Sequence, residues 1–341
     1  MVEQRIALVL VAAFAASPLS AFSQRAPSLA LPVDCEIGTA CVVQNYVDHN
    51  AGPGASDYRC GKLTYDGHKG TDFRVIDLAA YRRGVPVLAA APGRVRAVRD
   101  GMQDASARSP GKASVAGREA GNSVVIEHGD GWETQYAHMR RGSVAVRPGD
   151  TVEAGANLGA VGMSGNTEFP HVHLEVRHRG TAIDPFAGTQ VGEPCERSAG
   201  TLWSYDAGRR LAYVPTGVLG AGIFGAVPVV EEGSVVADAA FGPDSGAAVF
   251  WVQVYGARAG DIEELKLIAP DGSVAASRRS RVERDQAQRL AYVGKRRGGS
   301  GWPAGTWRGE FTVYRGGGDA KVVTLAREVT LGADARAAVA H

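Results

Sequence analysis

The sequence predicts an all-β protein of antiparallel sheets, in two successive units of which the second is the smaller and sandwich-like. Three observations carry this. Glycine is abundant at 45 residues and proline adds 16, while few stretches hold a helical period. From residue 35 to about 186, short β-branched runs alternate with glycine-rich turns. After about residue 196 the same pattern starts afresh.

Taken in order, residues 1–23 read as an export signal. Arg5 supplies a basic start, weakened by Glu3, and residues 6–16 are wholly apolar. Ser17-Pro18 breaks the run, and Ala21-Phe22-Ser23 puts small residues where a signal peptidase inspects them. The apolar run is shorter than the roughly 20 residues a bilayer span needs. Cleavage near Ser23 is therefore expected, with export to a periplasmic or secreted location and no stable membrane span after processing. Residues 24–59 follow as an extended segment with a disulfide loop.

Export decides how the four cysteines are read. An even count in an oxidising compartment points to two disulfides. Cys35, Cys41, Cys60 and Cys195 allow three pairings; Cys35–Cys41 as a local loop with Cys60–Cys195 as a long clasp is the expected one. No CxxC pair supports a structural zinc instead.

The first series of strands includes Val85-Pro86-Val87-Leu88, Arg94-Val95-Arg96-Ala97-Val98, Ser123-Val124-Val125-Ile126 and Val172-His173-Leu174-Glu175-Val176. Pro92-Gly93, Gly129-Asp130-Gly131 and Pro148-Gly149-Asp150 are the turns between them. Residues 100–121 are polar, aperiodic and long for a hairpin connection, and read as a mobile surface loop. In the second series, strands are expected over 246–255, 263–268, 306–314 and 321–329, with the spacing of a small β-sandwich. Residues 333–341 read as a frayed tail. Lys and Arg (37) nearly balance Asp and Glu (36), which gives no support for nucleic-acid binding or for an anionic-membrane footprint.

Eight histidines are few enough for their placement to inform. His68 and Asp72 stand four apart, which fits one face of a helix or of a strand; Gly67, Gly70 and Thr71 argue against the helix. His171 and His173 are two apart in a strand-like run and share a face. Imidazoles and a carboxylate without thiolate suit zinc in an open, catalytic site, where three protein ligands leave a fourth position for water. His138 lies in Gln135-Tyr136-Ala137-His138-Met139, where a third strand or its end would bring it to the same cleft. By parity alone both His171 and His173 qualify as ligands. Glu175 shares their face, as an orienting carboxylate or a solvated one. Tyr136 reads as a packed aromatic, His128 as a turn residue, and His49, His178 and His341 as surface histidines. HExxH is absent, so no glutamate stands beside the ligands as base.

Three segments together resemble the lysostaphin/LytM-type zinc metalloendopeptidases: His68-Lys69-Gly70-Thr71-Asp72, Tyr136-Ala137-His138, and the run from Gly165-Asn166-Thr167 through Pro170-His171-Val172-His173-Leu174-Glu175-Val176. The resemblance covers roughly residues 60–187, and the long 100–121 segment departs from it. It implies a LytM-like zinc peptidase domain over 60–190; the strand spacing beyond it is what places an immunoglobulin-like sandwich over 196–332. The resemblance further implies one Zn2+ per chain on His68, Asp72 and His173, and a water-activating and substrate-facing role for His138 and His171, with the choice of general base open. The implied activity is hydrolysis of peptide bonds in peptidoglycan, in stem peptides or cross-links. The alternative is a non-catalytic LytM-like module that binds the wall or activates another wall hydrolase. Which bond is cut, whose wall is attacked, and whether the second unit binds wall or protein are not fixed by these residues.

Overall fold

The computed structural model describes residues 26–76, 78–107, 115–236, 240–317 and 320–332. The expected export signal and the 333–341 tail, with His341, lie outside them. Among the described residues no helix is long and apolar enough to cross a membrane.

The architecture is almost entirely antiparallel β. In the first half the strands are β1 (Cys41–Asn45), β2 (Thr71–Val75), β3 (Pro86–Leu88), β4 (Gly93–Arg99), β5 (Asn122–Gly129), β6 (Trp132–Met139), β7 (Thr151–Val152), β8 (Asn157–Ala160), β9 (His171–His178) and β10 (Thr181–Ile183). The main sheet runs β1-β2-β9-β6-β5-β4-β7, with β10 on β9, and β3 pairs with β8 separately. Segment 24–59, expected as an extended lead-in, supplies the edge strand β1. On one face of the sheet, alternate residues such as Phe73, Val124, Ile126, Tyr136, Val172 and Leu174 are fully buried in one apolar cluster with Val87 and Leu158 of the small sheet. This period-two burial is what the sequence pattern requires.

The second half carries β11 (Gly217–Phe224), β12 (Val229–Glu231), β13 (Ser234–Val236), β14 (Ala247–Ala257), β15 (Ile262–Ile268), β16 (Val274–Arg281), β17 (Gln286–Arg296), β18 (Gly305–Arg315) and β19 (Ala320–Leu331). A three-stranded sheet β11-β14-β17 and a four-stranded sheet β16-β15-β18-β19 contribute Phe250, Val252, Leu265, Leu267, Trp307 and Phe311 to a second apolar cluster. Strands β12 and β13 form a separate hairpin.

Both disulfides take the expected pairing, Cys35–Cys41 and Cys60–Cys195. Near the second bond, His49 contradicts its reading as a surface histidine. It is buried, with Nε2 2.7 Å from Asp184 Oδ2 and Nδ1 2.9 Å from the Glu193 carbonyl. Burial alone would lower its pKa; the hydrogen bond and charge of Asp184 outweigh this and raise it. His128 also differs from expectation. It is a buried residue of β5 bonded to the Pro92 carbonyl and to Thr134 Oγ1, the start of a chain through Tyr136 to the Ala90 amide.

Candidate metal site and catalytic cleft

The face of the main sheet opposite the first apolar cluster holds the cleft. Register places Asp72 of β2 opposite His173 of β9, and His173 opposite Ala137 of β6. Three neighbouring strands thus deliver side chains to one spot. His68 arrives differently from the expected strand face: it precedes β2 in a turn closed by its own amide on the Tyr65 carbonyl. Gly70, between the two, allows close approach, since a Cβ there would lie 2.5 Å from His173 Nε2.

The result is a trio of facing atoms. His68 Nε2 is 3.2 Å from Asp72 Oδ1 and 3.1 Å from His173 Nδ1, and His173 Nδ1 is 2.9 Å from Asp72 Oδ1. Tetrahedral zinc with ligands at about 2.0–2.1 Å would separate its donors by roughly 3.3 Å. The spacing, the donor types and the burial of His68 and Asp72 all fit such an ion.

Neighbouring groups hold each donor in place. The Tyr46 carbonyl lies 2.7 Å from His68 Nδ1. A carbonyl only accepts, so Nδ1 carries the proton and Nε2 faces the site with its lone pair. Asn45 Nδ2 donates to Asp72 Oδ2 at 2.8 Å. Burial raises the Asp72 pKa, but His68, His171 and the hydrogen bond from His173 outweigh it and hold the carboxyl well below its usual range. For His68, burial acts downward and Asp72 more than offsets it, so the net shift is upward.

His171 and His138 flank the trio. His171 Nε2 is 3.5 Å from Asp72 Oδ1, and its Nδ1 lies 2.9 Å from the Phe169 carbonyl and 3.0 Å from Thr167 Oγ1. His138 Nδ1 donates to the Ser164 carbonyl at 2.8 Å. The two rings stand 4.6 Å apart. Burial is the main cause of the lowered pKa of each; for His138 the neighbouring His171 and His173 lower it further. Neutral imidazoles with Nδ1–H bound to a carbonyl leave Nε2 as the free base.

Simple alternation would send His138 into the core with Tyr136. A bulge prevents this: Val124 faces Tyr136 but Asn122 faces Met139, so β6 carries one residue more than β5. His138 has φ 62°, in the left-handed region, and its amide donates to the Ala120 carbonyl rather than to β5. Tyr136 and Met139 both remain fully buried, while Ala137 and His138 turn to the cleft. Tyr136 is thus a packed aromatic, as expected.

The cleft, of about 380 Å3, is further lined by Lys69, Glu119, Gln135, Asn166 and Glu175. Glu175 lies 3.4 Å from Arg177 Nη1, in an ion pair along the strand. The 100–121 segment, expected to be mobile, is tied down over its described ends. Asp104 accepts from the amides of Arg141 and Met163, the Ala107 amide donates to Thr167 O, and Glu119 O accepts from the Asn166 amide. Asn45, Tyr46 and Ser164 had no signal in the sequence: their roles rest on backbone carbonyls or on partners far along the chain.

Residues 66–185 match the family model described as Peptidase family M23. This segment is an M23-type domain. The M23 segment is 38% identical over 77 residues to the cell division protein DipM of Caulobacter vibrioides, covering 22% of this chain and 12% of DipM. It is 32% identical over 117 residues to the peptidoglycan DD-endopeptidase ShyB of Vibrio cholerae, covering 34% of this chain and 22% of ShyB. The chain thus spans well under two thirds of either relative. Among solved structures, the catalytic domain of the M23 protein EnpA from Enterococcus faecalis is 25% identical, with a TM-score of 0.29 over 47% of this chain and 94% of that one. The catalytic domain of lysostaphin from Staphylococcus simulans is 23% identical, with a TM-score of 0.27 over 41% and 85%.

Proposed function

We propose that this M23 protein is an exported zinc endopeptidase acting on the peptide part of peptidoglycan. The observation that carries the reading is the convergence of His68 Nε2, Asp72 Oδ1 and His173 Nδ1 within 3.2 Å of one another, with two neutral histidines beside them. His68, Asp72 and His173 would hold the zinc, which would supply Lewis acidity toward the scissile carbonyl and the attacking water.

The chain's own residues do the rest. Asn45 and the Tyr46 carbonyl orient Asp72 and His68. His138 lines the cleft and His171 sets its Nε2 3.5 Å from Asp72 Oδ1, each ring held at Nδ1 by the Ser164 and Phe169 carbonyls respectively. Either can accept the proton of the attacking water, and the imidazolium so formed can return it to the leaving amine. A base of this kind replaces the glutamate of HExxH enzymes. The substrate class is supported by relatives named as peptidoglycan DD-endopeptidases, and export by two disulfides, which persist in oxidising compartments.

Bound zinc and turbidity loss on purified sacculi test the proposal, with His173→Ala as control. The expected result is about one zinc per chain and lysis, both lost in the variant. A wild-type protein that binds no zinc and leaves sacculi intact overturns it in favour of a non-catalytic module.

A further inference from the structure

Arg74 lies beside the cleft and has no part in the chemistry proposed above. It stands two residues after Asp72 on β2, and its register partner is His171. Its side chain is buried to 1% exposure. The described partners of its guanidinium are all neutral. Nη1 donates to Gln44 Oε1 at 2.6 Å, Nη2 donates to the Gly233 carbonyl at 2.5 Å, and the group lies 4.4 Å over the Phe169 ring. Burying a cation on neutral partners is costly. An aliphatic side chain would fill the space without that cost, so what the guanidinium adds is its reach to two separate segments at once.

One of those segments comes from the second half of the chain. Gly233 forms the tip of the β12–β13 hairpin, and its carbonyl also accepts from Gln253 Nε2 of β14 at 2.8 Å. The tip is pressed onto the cleft loop: Gly233 has φ 75°, and a Cβ there would lie 2.7 Å from Phe169 Cβ and 3.1 Å from Glu168 O. Phe169 in turn holds His171, through its carbonyl at 2.9 Å and its ring at 4.8 Å. A continuous path therefore runs from β14 through the hairpin tip, Arg74 and Phe169 to His171.

We propose that the β12–β13 hairpin and Arg74 form a clasp by which the C-terminal sheets set the orientation of His171, with Arg74 as a positioning residue. The second half of the chain is then part of the catalytic apparatus rather than a detachable binding module. This rests on the reading of His171 as a working histidine, but it is tested separately from it.

The test uses the full chain with 15N-labelled histidine and two variants. Arg74→Lys keeps the charge, but one ammonium cannot span both acceptors. Gly233→Ala disturbs the tip without touching the core of the main sheet, and decides alone if Arg74→Lys does not fold. In the wild type the His171 ring nitrogens should report a single Nδ1–H tautomer. In the variants the tautomers should mix, and the maximal rate on sacculi should fall by up to about 100-fold, the scale of a misplacement of about 1 Å. Half-saturation and zinc content should stay unchanged. Wild-type nitrogen shifts and rate in Gly233→Ala overturn the clasp, as does a rate loss that merely follows zinc loss. His171→Ala is run alongside: full activity there refutes the working role of His171, whereas the tautomer signal judges the clasp on its own.

Discussion

Replacing Cys60 and Cys195 together by serine removes a bond that closes 135 residues of chain, against 6 for Cys35–Cys41. In the chain-entropy description the first closure stabilises by about 5 kcal/mol and the second by about 2 kcal/mol, nearly all of it through the unfolded state. The folded state has other means of keeping the same ends together. His49 and Asp184 meet at 2.7 Å, and Tyr46 packs its ring 5.2 Å from Tyr58, 5.0 Å from Phe186 and 5.3 Å from Tyr213. The folded geometry should therefore survive the double substitution while its margin over the unfolded chain shrinks. Urea unfolding followed by far-UV circular dichroism gives the comparison. The Cys60→Ser/Cys195→Ser protein should lose two to three times as much stability as Cys35→Ser/Cys41→Ser. Equal losses, or a larger loss from the short loop, would refute the entropic reasoning and show that folded-state contacts dominate.

Asn45→Ala leaves one oxygen of the buried Asp72 without its donor; a hydrogen bond to a charged group contributes about 1.5–3 kcal/mol, and loss of a group that orients a ligand typically lowers zinc affinity about 10–100-fold. A competition titration with a chromogenic chelator reads this directly. Burial, aided at His138 by its histidine neighbours, holds His138 and His171 below the ordinary histidine range. Since the neutral ring is the working form and persists above the lowered pKa, the acid limb of the pH–rate profile should fall below about pH 6.5; a limb at or above that value contradicts the assignment. The His49 pKa is raised, so the pair with Asp184 contributes its full stability below about pH 6.5 and loses it as pH rises through the folded value. The difference in urea midpoint between wild type and Asp184→Asn should accordingly narrow from mildly acidic to alkaline pH.

Strand geometry made only part of the candidate trio legible; His68 sits in a turn before β2, and the choice of ligands came from the family resemblance. His171 and His173 share a face by alternation, and Asp72 lies two residues into a strand whose register partner is His173. Of the nine strands described in the second half, β14, β15, β18 and β19 were legible from their apolar runs, whereas β11, β12, β13, β16 and β17 were not. What the sequence hid has specific causes. His138 reaches the cleft only through a bulge, which alternation does not foresee. Asn45 lies 27 residues from the carboxylate it serves, and Gly233 lies 159 residues from Arg74, so neither leaves a local pattern. His49 and His128 were misread because a histidine's burial depends on partners, Asp184 and Thr134, that only the folded chain supplies. The 100–121 segment looked mobile because backbone hydrogen bonds to Met163 and Thr167 have no side-chain signature.

The left-handed backbone at His138 sets stability against activity at a single position. A residue with a Cβ bears a steric penalty there that glycine would not. His138→Gly should therefore relieve local strain while deleting one of the two proposed bases. A screen that rewards only thermal resistance or expression would tend to collect that change and return a sturdier, silent protein. The same pressure would act on any copy of this fold released from catalytic duty, so a glycine at this bulge is a mark to look for in relatives kept for binding alone.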